Sequence, residues 1–343
     1  MGESEISRCF KLFAENECKG SCSLYENLSQ QISEDQELLE LAANARQNQP
    51  APNLFFGAVQ YLLFKGSRHE LSKFYSSIVR SPGQGEKCFP HFKNFCQHNR
   101  SEIIALLKEK LVQTNEVRRC GYLYPVFCFI HRKMRKPLAL MEIGTSAGLQ
   151  LLWDKYCYTY GDERVYGSHD SDVKIKSEVK HNRLPLLLNE SPQVASRLGF
   201  DLHVNDLHDP EDYLWLKSLI WPNHHERRAL FEKAVYHVRS HRMNLIQGDG
   251  VQLLLKAVKN IPQEELVCVF HTHTANQFST ETKSKLLKDI STIGQERDIC
   301  HVYNHIQDRK LHLDYYVSGK EYNRIVGETD GHGRWFSWYL SDE

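Results

Sequence analysis

The chain has 343 residues, 41% of them hydrophobic and 25% charged, and its 43 basic and 43 acidic side chains leave a formal net charge of zero. This is the balance of a globular protein large enough for two domains, and it provides no whole-chain field for a nucleic acid or an anionic membrane surface. No apolar run approaches the roughly 20 residues that cross a bilayer. The polar opening MGESEISRCF is not expected to be a signal peptide; the ten cysteines, scattered without C-x-x-C pairs, then read as reduced core thiols of a cytoplasmic chain.

Residues 1–137 predict a helical cap domain. Leu24, Leu28 and Ile32 recur at helical spacing. Ser33 with Gln36 fits a capping box ahead of Leu38, Leu39 and Ala42. Pro50 and Pro52 separate that helix from another over Asn53 to Phe64, and Ser101 is placed to cap EIIALLKEKLVQ. The stretch Gln113 to Arg119 interrupts the cap and gathers two amides, a carboxylate and two guanidiniums before an apolar helix. Arginine can hold a carboxylate or phosphate in two-pronged fashion; the plainer reading is a capped helix start with solvated charges.

Residues 138–343 predict strands and helices in alternation, hence a mostly parallel α/β sheet. Leu138 to Met141 suits a buried strand that ends at Glu142 and turns on Gly144 and Gly148 into a leucine-rich helix from Ala147 to Tyr158. A strand that bends over glycines into a helix leaves backbone N–H groups and space for a ligand. The spacing E-x-G-x-x-x-G is similar to the first motif of class I S-adenosylmethionine-dependent methyltransferases, although Ser146 stands where G-x-G-x-x-G has its middle glycine. The polar stretch near 161–195 reads as an insertion containing a β-hairpin. Arg197 to Leu202 reads as a second strand ending in Asp201, with Asp206 competing for the same role. Asn244 to Gly250 closes a third strand on Asp249, and Leu266 to Phe270 is a continuous apolar run expected to be buried on both faces. That strand delivers His271, Thr272, His273 and Asn276 to the carboxyl edge, where open α/β sheets bind ligands. A helix over Ser284 to Ile293, a strand over Ile299 to Tyr303, and two β segments, Leu311 to Val317 and Trp335 to Leu340, around a glycine-rich turn complete the order.

QTNEVRRC at 113–120, EIGTSAGLQLLWDKYCYTYG at 142–161, RLGFDL at 197–202, LIWP at 219–222, ALFEKAV at 229–235, VFHT at 269–272 and HGRWFSW at 332–338 together resemble the bacterial family called domain of unknown function 2332. Gln150 and Thr272 depart from that pattern, which has Asn and Ser there. The family's name carries no activity, so the resemblance implies a methyltransferase-like, Rossmann-like fold ahead of any chemistry.

Three functions are expected in descending order. The first is transfer of a methyl group from S-adenosylmethionine to a small acceptor. Glu142, Gly144, Ser146 and Gly148 would shape the cofactor loop, Asp201 or Asp206 would hold the ribose and Asp249 would face the adenine. His271 would be the base, because imidazole titrates near neutrality. Glu116 is the second catalytic candidate, and it would frame the acceptor with Asn115, Arg119, Asn276 and His273, which shares a face with His271 if the strand persists. The His-x-His pair lacks the further ligands of a metal site. The second reading is a non-catalytic nucleotide-ligand-binding protein. The third is a serine hydrolase, since G-T-S-A-G fits the spacing of a nucleophile elbow and Ser146, Asp249 and His271 stand in α/β-hydrolase order. His332, in its Gly-His-Gly turn, reads first as structural and second as a group reaching the same cleft.

Overall fold

A computed structural model describes residues 3–114, 116–181, 184–185 and 187–341. Two compact units divide the chain: Met1–Thr114 with His208–Ala229, and Asn115–Leu207 with Leu230–Glu343.

The first unit is helical. It contains α1 (Glu3–Phe13), α2 (Ser23–Ile32), α3 (Gln36–Ala42), α4 (Ala51–Phe64), α5 (Phe89–His98) and α6 (Arg100–Glu109). Its centre is α4, which is apolar on every side and therefore buried along nearly its whole length. Tyr25 stacks on Phe56 with ring centroids 4.1 Å apart, and Phe10 meets Phe55 and Phe56 edge-on. Gln60, 0% exposed, spends its amide donors on Ser218 O and Ile220 O at 2.7 and 2.8 Å. The capping residues differ from those read in the sequence. Ser33 ends α2, and Asp35 caps α3 by accepting from Leu38 N at 3.1 Å, because the carboxylate stands immediately before the first helical residue. Ser101 lies inside α6, which starts at Arg100.

The second unit opens with α7 (Cys120–Met134) and is built on seven strands: β1 (Leu138–Ile143), β2 (Val194–Asp201), β3 (Asn244–Gln247), β4 (Leu266–Phe270), β5 (Ile299–Tyr303), β6 (Leu311–Val317) and β7 (Lys320–Gly327). Their spatial order is β7-β6-β5-β4-β1-β2-β3. The five strands from β1 to β5 run parallel, and β6 is antiparallel to both β5 and β7. The protein is thus α/β with a mostly parallel central sheet. α8 (Pro210–Ser218), which belongs to the helical unit, and α9 (His225–Ser240) lie between β2 and β3 in the chain; α10 (Gly250–Val258) joins β3 to β4 and α11 (Thr280–Glu296) joins β4 to β5. Met141, Ile143, Val267, Val269 and Ile299 pack with Val251, Leu254, Leu286 and Ile290 of α10 and α11 in one apolar cluster. The alternate residues of β4 face the other way, where Phe270 meets Phe127 of α7 edge-on. That double burial accounts for the unbroken apolar run of β4.

Four local expectations are corrected. The segment after Gly148 is a 3₁₀ run, Leu149–Lys155, with a kink at Leu152, followed by a strand, Cys157–Thr159. The tyrosines explain the change: Tyr156 and Tyr158 hydroxyls donate back to Leu149 O and Trp153 O, carbonyls an α-helix would have used. In the stretch near 161–195 the antiparallel pair is Tyr166–Gly167 with Cys157–Thr159, across 160–165, whereas the alternating Lys174–Lys176 pairs in parallel with Cys157–Thr159. The antiparallel partner of β6 is β7, not the Trp335 segment, which pairs with Glu178–Lys180. The strand carrying His271 ends at Phe270, so the shared face foreseen for His271 and His273 does not form.

Candidate functional site

The strand order reverses between β1 and β4. From β1 the chain proceeds outward through β2 and β3, then returns to β4 on β1's opposite side. Such a switch point is where open α/β sheets bind ligands, at the carboxyl ends of the strands. Here those ends carry Glu142 to Gly148, Asp201, His271 to His273 and, from β5, Asn304 and His305.

The glycine turn is folded tightly on itself. Gly144, Ser146 and Gly148 all have left-handed backbones, with φ of 79°, 51° and 77°. For Ser146 that conformation is unfavourable, and three contacts hold it. Its N–H donates to Asp201 Oδ2 at 2.7 Å, its carbonyl accepts from Asn205 N at 3.1 Å, and its Oγ accepts from Asn205 Nδ2 at 3.1 Å. Gly144 N and Thr145 N both donate to Phe200 O. Glu142 is 3% exposed, and burial pushes its carboxyl up to about 8, so it is mostly protonated at neutral pH. Thr145 Oγ1 donates to Glu142 Oε2 at 2.7 Å. The absent side chain at Gly144 makes room for Thr274, whose Oγ1 would lie 2.3 Å from a Cβ there.

A second group of side chains closes a ring. Gln150 Nε2 donates to Glu116 O at 3.3 Å, and Thr272 Oγ1 donates to Gln150 Oε1 at 3.0 Å. Arg119 Nη1 reaches Thr272 O and Oγ1, both at 3.3 Å, while its Nε donates to Gly331 O at 2.9 Å. The neighbour of Gly331, His332, places Nδ1 3.5 Å from Glu116 Oε2 and completes the circuit. Glu116, Arg119, Gln150 and Thr272 are all buried; the His332 side chain is 46% exposed. The two departures from the family pattern, Gln150 and Thr272, are therefore direct partners.

The histidines form two pairs. His271 and His301, each 0% exposed, have Nε2 atoms 3.2 Å apart, so one ring donates and the other accepts. Neither Nδ1 has a hydrogen-bond partner among the described residues. His273 Nδ1 lies 3.0 Å from His305 Nε2, and His273 N donates to Asn304 Oδ1 at 2.7 Å. Burial pushes His271 and His273 down to about 3. Among the described residues no group of three or more His, Cys, Asp or Glu is arranged to hold a metal ion.

The foreseen residues are thus dispersed over distinct duties. Glu142, Gly144, Ser146, Gly148 and Asp201 meet in one turn. Glu116, Arg119 and Thr272 meet in the ring. Asp249 caps α10 through Val251 N and Gln252 N, and Asp206 is exposed beside the buried Asn205. Asn276 is exposed in the short 3₁₀ turn after His273, and Asn115 lies outside the described residues. Ser146 bonds Asn205, His271 pairs with His301 and Asp249 caps its helix, so the three make no hydrogen bond to one another. Asn205, His301, Asn304 and His305 were not singled out in the sequence. The run His301-Val302-Tyr303-Asn304-His305 carried a usable signal, since a parallel strand next to β4 delivers its end to the same edge.

An α/β protein with its polar side chains gathered at a switch point is the class that this arrangement defines. Residues 7–338 match the family model described as an uncharacterized protein conserved in bacteria, domain of unknown function 2332, and the chain belongs to that family. No curated protein and no solved structure matches it. No helix among the described residues is long and apolar enough to cross a membrane.

Proposed function

We propose that the protein binds an adenosyl ligand at the carboxyl ends of β1 and β2 and, on that basis, acts as an S-adenosylmethionine-dependent methyltransferase with a Rossmann-like fold and a small acceptor. One observation carries the reading: Asp201, at the end of β2, lies 2.7 Å from the amide of Ser146 in the glycine turn of β1. A carboxylate beside such a turn is the group that accepts hydrogen bonds from ribose hydroxyls in nucleotide-binding α/β sheets. The cofactor brings an already activated methyl group, so the protein's task is alignment and exclusion of water. Glu142, neutral and buried, stiffens the turn through Thr145. Calorimetry with S-adenosylhomocysteine tests the reading. Saturable heat that is lost in Asp201→Ala supports it, and no heat with the wild-type chain removes it.

A second reading, a non-catalytic member of the fold, has its own support. Thr274 fills the space beside Gly144, and Asp201 already engages Ser146 N and His203 N. A ligand would have to displace one of these groups. Under this reading the turn is a structural joint, and S-adenosylhomocysteine leaves the melting temperature unchanged.

A further inference from the structure

We propose that His332 is the proton-accepting group at this edge and that Glu116 orients it. The inference deepens the proposed methyl transfer and takes its chemistry from that reading, but its geometry is independent of the cofactor.

Three observations support it. First, the other histidines nearby are committed. His271 is fully buried against His301, and His273 Nδ1 is engaged by His305. A desolvated ring resists the charge that a base acquires, which fits the low values of both. Second, His332 combines exposure with a buried carboxylate: its side chain is 46% exposed, whereas that of Glu116 is 2%. Glu116 Oε2 meets Nδ1 as a 3.5 Å charge contact rather than a hydrogen bond, and a carboxylate on that side favours the tautomer with the proton at Nδ1. Nε2 is then the nitrogen with the open lone pair. Third, the turn that carries His332 is pinned. Arg119 Nε holds Gly331 O, Asp330 Oδ2 accepts from His332 N at 3.1 Å and from Arg334 N at 3.0 Å, and Ser177 Oγ donates to Gly333 O at 2.6 Å. Gly333 sits so close to the backbone of Arg118 that a Cβ would lie 2.5 Å from Arg118 O. Such fixing of the surrounding backbone is what a positioned proton-transfer group needs.

The step is a simple exchange. An acceptor O–H or N–H bond breaks, its electron pair stays on the acceptor as the nucleophile, and a new N–H bond forms at His332 Nε2. The charged groups that face His332 are Glu116, Asp330, Arg119 and Arg334, with His273 beside them. Glu116 acts through His332 and is a positioning residue.

Two measurements decide the matter. Nitrogen–proton correlation spectra of the wild-type chain report the tautomer of neutral His332. The Nδ1–H form is expected, and a dominant Nε2–H form overturns the proposal whether or not any cofactor binds. The second measurement is release of S-adenosylhomocysteine from S-adenosylmethionine with a deproteinised bacterial extract as acceptor mixture. His332→Gln is expected to lower release at least about 100-fold with S-adenosylhomocysteine affinity kept within about twofold, and Glu116→Gln to lower kcat with KM kept within about twofold. Unchanged release in His332→Gln refutes the role. If the wild-type chain binds no S-adenosylhomocysteine, the methyltransferase reading falls, and the tautomer alone then decides the His332–Glu116 pair.

Discussion

Ser146 shows at the scale of one residue how this turn is paid for in contacts. Its φ of 51° is held by Asp201 and by two contacts from Asn205. Asp201→Ala removes the acceptor of two backbone N–H groups, Ser146 and His203. It is expected to destabilise the fold by about 2 kcal/mol in urea titration. Gly144→Ala places a Cβ at φ 79° against Thr274 and is expected to lose about 2 kcal/mol or more, with part regained in Gly144→Ala/Thr274→Gly. A fluorophosphonate probe is expected to leave Ser146 unlabelled, because its hydroxyl faces Asn205 and no histidine bonds it; labelling read by mass spectrometry would reverse this. The glycines and the acid at 142 were plain in the sequence. That Asn205, not Asp206, turns inward was not, since neighbours on an irregular segment have no period to assign their faces.

At the scale of elements, β4 and β5 set the pH response. Unfolded imidazoles titrate near 6.5, while folded His271 and His273 are pushed to about 3 and buried His301 also falls well below its ordinary value. As pH drops below 6.5 the unfolded chain binds protons that the folded chain refuses, so stability falls toward pH 3. Glu142 acts oppositely. Its folded value of about 8 against 4.5 gives stability that is full below 4.5 and lost as pH rises to 8. Two or more imidazoles outweigh one carboxyl below 6.5; above it Glu142 lowers stability up to pH 8, and buried thiols such as Cys22 and Cys88, also raised by burial, act in the same direction from about pH 9. Urea midpoints are therefore expected to peak near pH 6.5, with a net slope on the acid side of about 1.4 kcal/mol per pH unit or more. His271→Phe should flatten that side. An optimum below pH 5 would contradict the assignment. The strands themselves were legible from apolar runs and their lengths. The 3₁₀ segment Leu149–Lys155 was not, because tyrosine hydroxyls beyond its end claim its carbonyls.

For the whole molecule, the ring of Glu116, Gln150, Thr272, Arg119, Gly331 and His332 joins residues more than 200 positions apart in the chain. Its members are coupled, so Gln150→Ala and Thr272→Ala should not be additive. Each alone leaves a buried amide or hydroxyl partner unsatisfied, at about 1–3 kcal/mol, and the double variant should lose less than their sum. Additive losses in denaturant titration would mean that the ring does not act as a unit.

What the residues alone determined is the alternation of apolar runs and amphipathic helices, the glycine turn after β1 and the apolar β4 buried on both faces. These are local patterns whose period is set by backbone geometry. Only the tertiary structure decided which polar groups meet: that β6 is followed by β7 in an antiparallel pair, that His271 finds His301, and that Glu116 faces His332. Long-range pairing depends on how strands are ordered and on which buried donors and acceptors must satisfy one another, and neither is written in the spacing of neighbouring residues.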